Sequence, residues 1–198
     1  MPDTSVATTT PIKPRAAHPV GVNHVVLNVR DMEESHRFWT EVAGLKWVGQ
    51  LSARPGRPSP PKMRFYSVDH GGGQISHHDV ALVENPDLPR PEAIAGAAHA
   101  VHHVALTMPD RETWLAHLAY LQERGVVFDR RTEHGPTHSL YIRDPNGYGV
   151  ELLYERPRET WEGDLDAALN YYVALPTEGP AALQDSGASA PLFGAKQN

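Results

Sequence analysis

One pattern occurs twice in this chain, and that repeat limits the possible folds more than any other feature. Gly21 to Leu51 reads "GVNHVVLNVRDMEESHRFWTEVAGLKWVGQL" and Ala100 to Arg130 reads "AVHHVALTMPDRETWLAHLAYLQERGVVFDR". Each has an alternating apolar run, an Asp where a helix would start, an amphipathic stretch, a Gly stop and a second apolar run. Val22 to Val29 aligns with Val101 to Met108 as the first strands. Asp31 and Asp110 are the expected helix caps, and Gly44 and Gly125 the expected helix ends. Each copy continues with a strand, a Gly-rich turn and a strand, in "MRFYSVDHGGGQISHHDVALVE" and "HSLYIRDPNGYGVELLYE". The prediction is an α+β fold of two βαβββ units.

With 198 residues and 40% hydrophobic content, the chain has enough apolar surface for one core. The fold is therefore expected over 20–155, with unit one at about 20–90 and unit two at about 98–155. Residues 1–19, rich in Thr, Pro and Ala, read as a flexible leader. In 156–198 a short helix is expected, with Trp161, Leu165, Leu169 and Tyr172 along one side, packed on the core or on a second subunit. A loose tail is expected from about Pro176 onward.

A net charge of −6, with no basic cluster interleaved with aromatics, argues against a nucleic-acid partner. No run of about 18 apolar residues occurs, so no membrane span is expected, and the N-terminus lacks the apolar stretch of a signal peptide. The absence of cysteine fits a reducing cytoplasm and leaves nitrogen and oxygen as the donors for any metal.

Gapless alignment of "NHVVLNV" with "HHVALTM" places His24 opposite His103. By strand alternation His24 shares a face with Val22 and Val26, and His103 with Ala105, which predicts that both point with core residues. Glu151 lies in the last strand of the second copy, "GVELLYE", where an unpaired carboxylate between apolar neighbours would be costly. Two imidazoles and one carboxylate form the ligand set of a metal site with open positions, most often non-haem iron(II). Without a metal, the same residues would be two buried histidines and one buried acid, each satisfied by hydrogen bonds.

The paired units, with His on the first strand of each and Glu on the last strand of the second, resemble the vicinal oxygen chelate superfamily. Within it the chain is similar to type I extradiol ring-cleaving dioxygenases. That resemblance implies a cup-shaped mixed sheet around a metal held by His24, His103 and Glu151. The metal would be Fe(II), with Mn(II) as an alternative, and the reactants a small aromatic diol and O2. The group has a tyrosine ten positions before the ligand glutamate, matched by Tyr141, and a His-Gly pair before that tyrosine, matched by His134-Gly135. His138 could share or replace the part of His134, which with Tyr141 would stabilise the bound diol anion. "HHDVAL" resembles the segment that bears a catalytic histidine, and His78 is its better match, the expected proton donor.

The same superfamily includes glyoxalase-like lyases and thiol transferases, for which Asp79 could supply a carboxylate from unit one. It also includes metal-free proteins that bind aromatic drugs. A homodimer is expected, because the sheets of such units often pair between subunits. Ser52 to Lys62, a Pro-rich loop, is either a pocket wall or a solvated connector.

Overall fold

A computed structural model describes residues 21–53, 55–56, 58–94, 101–185 and 191–194. The leader expected at 1–19 lies outside the described residues. Unit one runs β1 (Val25–Val29), α1 (Met32–Arg37, continued by a wider π turn over Phe38–Val42), β2 (Lys46–Gln50), β3 (Met63–Ser67) and β4 (Val80–Glu84). Unit two runs β5 (His103–Thr107), α2 (Arg111–Glu123), β6 (Arg130–His134), β7 (Thr137–Arg143) and β8 (Gly149–Glu155). After it come α3 (Leu165–Asn170) and β9 (Tyr172–Leu175). The two sheets are ordered β1-β4-β3-β2 and β5-β8-β7-β6-β9, with parallel pairing of β1 with β4 and of β5 with β8. The βαβββ repeat is therefore present in both units.

The predicted caps form. Asp31 accepts from the Glu34 amide at 2.8 Å and Asp110 from the Thr113 amide at 2.7 Å, each satisfying one of the free donors of a helix start. Gly44 (φ 80°) and Gly125 (φ 70°) adopt the left-handed conformation that ends each helical stretch.

One hydrophobic cluster joins both units: Leu27, Val29, Met32, Trp39, Tyr66 and Leu82 from the first, and Trp114, Leu118, Leu121, Leu140, Ile142 and Leu152 from the second. Trp114 also donates Nε1–H to the Leu152 carbonyl at 2.8 Å, which pins α2 over β8. The strand alternation was predicted correctly for β1 and β5, but the faces are inverted in both: in β5 His103 and Ala105 are exposed while Leu106 is buried. Leu27 and Val29 face the core, whereas Val22 is 93% and Val26 46% exposed, so His24 stands on the open face.

The Asp144-Pro145-Asn146-Gly147 turn ties the units together. Asn146 donates from Nδ2 to Ser35 Oγ at 3.0 Å, and its Oδ1 accepts from the Arg30 amide at 2.7 Å. Asp144 in turn accepts from the Asn146 amide at 2.9 Å. Burial pushes the Asp144 carboxyl above the usual carboxylate range, against the pull of these hydrogen bonds.

The C-terminal segment differs from expectation. The helix covers only Leu165–Asn170 and buries Ala168, while Leu165 and Leu169 are exposed and Tyr172 belongs to β9. Residues 176–185 are docked instead of loose. The guanidinium of buried Arg131 donates to the carbonyls of Pro176 (3.2 Å), Ala181 (3.4 Å) and Gln184 (3.0 Å), and the Asp185 side chain is fully buried. No helix among the described residues is long and apolar enough to cross a membrane.

Candidate metal centre

The open face of unit two carries a polar group at its middle. Glu151 of β8 is 6% exposed and opposes Tyr141 of β7, whose hydroxyl donates to Glu151 Oε1 at 2.7 Å. The other carboxylate oxygen, Oε2, lies 3.0 Å from Nε2 of His103. Burial, followed by the hydrogen bond and charge of Glu151, pushes the Tyr141 phenol up, so it remains a protonated donor. The His103 ring meets the Tyr141 ring edge-on at 5.7 Å. Gly149, opposite His103, leaves room for this packing: a Cβ there would come within 2.6 Å of the His102 carbonyl and 3.0 Å of His103 Cβ.

These residues fit a divalent cation on their own geometry. Two donors at right angles around an ion at about 2.1 Å are separated by about 3 Å, the spacing seen between His103 Nε2 and Glu151 Oε2. One carboxylate oxygen is turned toward the imidazole and the other is held by Tyr141, the kind of hydrogen bond that would orient a metal-binding carboxylate.

His24 belongs to a second group at the mouth of unit one. Its ring lies 4.3 Å from that of His78, which lies 5.0 Å from Phe65, and the Nδ1 atoms of His77 and His78 are 2.8 Å apart. Burial, followed by the neighbouring imidazoles of His24 and His77, lowers the pKa of His78. His24, His103 and Glu151 do not appear together among described groups whose ligand atoms lie within 4.8 Å of one another. The expected triad is thus present as a pair in unit two and a single imidazole in unit one.

Two further candidates take other positions. His138 faces the opposite side of β7 from Tyr141, because the two are an odd number of residues apart. There it is fully buried, with Nδ1 at 2.7 Å from Asp185 Oδ1 and 3.0 Å from the Tyr154 hydroxyl, on the other side of the sheet from the Tyr141 hydroxyl. His134 keeps the open face but stands four residues along β6 from Arg130, about 13 Å by the strand rise, and its Nδ1 meets the Tyr171 carbonyl at 3.2 Å.

Glu133, His138 and Asp185 also bring ligand atoms within 4.8 Å of one another. Arg111 Nε donates to Asp185 Oδ2 at 2.7 Å and Arg131 lies alongside, so two guanidinium groups already balance the two carboxylates. Burial pushes Asp185 up, but hydrogen bonds from His138 and Tyr154, the charge of His138 and a hydrogen bond from Arg111 outweigh it and leave the carboxyl well below its usual range.

Asp79 is similarly committed. Its Oδ2 accepts from Ser67 Oγ at 2.8 Å and from the Val68 amide at 2.9 Å, and His70 Nε2 lies 3.0 Å from Oδ1. Arg130 was missed at the sequence level. It opposes Tyr141 across β6 and β7, with its guanidinium 4.0 Å over the Tyr141 ring. The pairing only becomes legible once the hairpin register is known.

Among curated relatives, the catechol-2,3-dioxygenase of Bacillus subtilis (strain 168) is 27% identical over 72% of this chain and 44% of its own length. A probable chloroplastic lactoylglutathione lyase of Arabidopsis thaliana is 28% identical over 75% of this chain and 42% of its own length. The chain spans less than half the length of both relatives. Among solved structures, a glyoxylase/bleomycin resistance protein/dioxygenase domain from Frankia sp. EAN1pec superposes with a TM-score of 0.53 at 20% identity, over 70% of this chain and 100% of that one, a likeness of fold. The family model for this group matches residues 21–152, and the chain belongs to the glyoxalase/bleomycin resistance protein/dioxygenase superfamily.

Proposed function

We propose that this chain is an Fe(II)-dependent extradiol dioxygenase acting on a catechol-type diol, with Mn(II) as the alternative metal. The observation that carries this reading is the Tyr141–Glu151–His103 group, in which a phenol held protonated orients a carboxylate beside an imidazole. His103 and Glu151 would hold the metal with His24. The imidazole of His24 would come from unit one of the same chain or of a second copy in a homodimer, since His24 and His103 are both exposed. Bound iron supplies the redox chemistry that dioxygen needs and a place where both reactants meet.

The protein's own groups do the rest. The single proton of the Tyr141 hydroxyl is donated to Glu151; once the Glu151 carboxylate is taken up by a metal, that proton would be free to turn to a deprotonated diol oxygen bound beside it. His78, packed between His24 and Phe65, is placed to carry a proton between the diol and the ring-opened product. Phe65 and Val26, neighbours on the open face of unit one, would give an aromatic ring an apolar surface. His134, at the far end of the same face, would touch only the rim of a bound substrate.

The lyase reading needs a carboxylate from unit one, and Asp79, the notable candidate, spends its acceptors on Ser67, Val68 and His70. The test is anaerobic reconstitution with iron(II), followed by oxygen uptake and the yellow ring-fission chromophore with catechol, 3-methylcatechol and 2,3-dihydroxybiphenyl. Colour that disappears in Glu151→Ala supports ring cleavage. Iron binding without oxygen uptake on any diol would overturn it and direct the search to thiol-dependent lyase assays.

A further inference from the structure

The open face of unit two carries a cation for which the scaffold shows no structural need. Arg130, Tyr141, Glu151 and Ala105 form one row across β6, β7, β8 and β5. The guanidinium carbon of Arg130 lies over the Tyr141 ring, 4.0 Å from its centre, and Arg130 has no ion pair or side-chain hydrogen bond to a described residue. The nearest acid in sequence, Asp129, is taken by Arg143 Nε at 2.8 Å. Arg130 is exposed, and β9 ends at Leu175, opposite Arg131, so among the described residues no β9 partner lies beside it. In unit one the equivalent row runs Gly49, Phe65, Ala81 and Val26, so the position that holds Arg130 is filled there by glycine.

We propose that Arg130 selects ring diols that carry an anionic substituent, a carboxylate or carboxymethyl group on the ring. This rests on the ring-cleavage reading above. Stacking on an aromatic face uses the π surface of a guanidinium and leaves its edge N–H donors free, a fork that matches a carboxylate. Arg130 stands two strand spacings from Glu151, about 10 Å between backbones, a gap that one substituted benzene ring and a long side chain can bridge. The chain's net charge of −6 repels an anion at long range, so affinity for one must be built locally. Arg130 is thus a specificity-determining residue, while Tyr141 beneath it serves the diol.

The experiment compares 3,4-dihydroxybenzoate and 3,4-dihydroxyphenylacetate with catechol and 4-methylcatechol on wild type, Arg130→Gln and Arg130→Lys. Binding is read by calorimetry and turnover by oxygen uptake, with melting curves to confirm folding. A charge-assisted pair predicts that wild type favours the carboxylated diols by about 10- to 100-fold in Kd and KM. Arg130→Gln loses that preference with little change on 4-methylcatechol, and Arg130→Lys keeps part of it. Equal losses on both series would overturn the proposal, leaving Arg130 as a support for Tyr141. Absence of any wild-type preference, or of any binding, would overturn it too. If neither series is cleaved but the carboxylated diols bind through Arg130, the reaction assignment falls and anion selection stands. If both series are cleaved equally well, the reverse holds.

Discussion

The two units share a backbone plan and differ in what they place on it. The row Arg130, Tyr141, Glu151 and Ala105 of unit two occupies the positions of Gly49, Phe65, Ala81 and Val26 in unit one. One row carries a cation, a phenol and a carboxylate; the other is apolar. His103 and His24 are equivalent, yet the partner position opposite His103 is Gly149, whereas Asp79 precedes β4 at the equivalent place in unit one. A repeat can therefore keep its helix caps and core faces while one copy places polar groups in a row that is apolar in the other.

The largest expected contrast lies at the C-terminus, which reinforces unit two alone. Asp185→Ala removes the partner of buried His138 and of Arg111 and should cost about 3–5 kcal/mol, read by chemical denaturation. Hydrogen exchange in β6 and β7 should accelerate more than in β2 and β3; equal acceleration in both units would break the comparison.

Next in size is the link between units. Asn146→Ala frees the Arg30 amide and Ser35 Oγ, both of which face a buried turn, and should cost about 2 kcal/mol in thermal or urea unfolding. A second, separate transition in that variant would show that the units fold independently once the turn is cut.

A smaller effect tests the site itself. Tyr141→Phe makes unit two match the Phe65 of unit one and should weaken divalent-metal affinity about tenfold, or ~1.4 kcal/mol, measured by competitive chelation. Phe65→Tyr, the reverse change, should leave metal affinity unaltered.

The smallest effect is a pH dependence. The carboxyl of Asp185 is depressed in the folded protein, so its contribution is full above the unfolded value of about 3.9 and is lost only as pH falls through the lower folded value. Protease resistance of the C-terminal segment should therefore be flat from pH 8 to about pH 4 and fall only in stronger acid. A midpoint near pH 6 would show that the lock depends on another group.

The repeat was legible because local signals agree with the fold: Asp31 and Asp110 cap, Gly44 and Gly125 terminate, and the apolar periods change where strands give way to helices. The face of each strand was not, since alternation fixes parity but leaves open which parity is covered by a helix. That is why His24 was expected among core residues. The parity of His138 against Tyr141 was available in the sequence and already separates them. Asp185 could not have been found, because a lone acid in a Pro- and Ala-rich stretch shows its role only when Arg111, His138 and Tyr154 are brought to it. Arg130 needed the β6–β7 register, which local sequence does not determine.

The order of strands has a consequence for self-assembly. A sheet margin recruits other strands unless something spoils it. The margin at β2 is spoiled by the irregularity between Trp47 and Gly49, and β9 is only four residues long and runs into Pro176. The margins at β1 and β5 carry no proline, bulge or acidic or basic charge within "VVLNV" and "HVALT", and His24 and His103 stand at their starts. Backbone hydrogen bonding is thus discouraged at the β2 and β9 margins and left available at β1 and β5, so strand-to-strand recruitment is steered to the margins that begin at the two imidazoles.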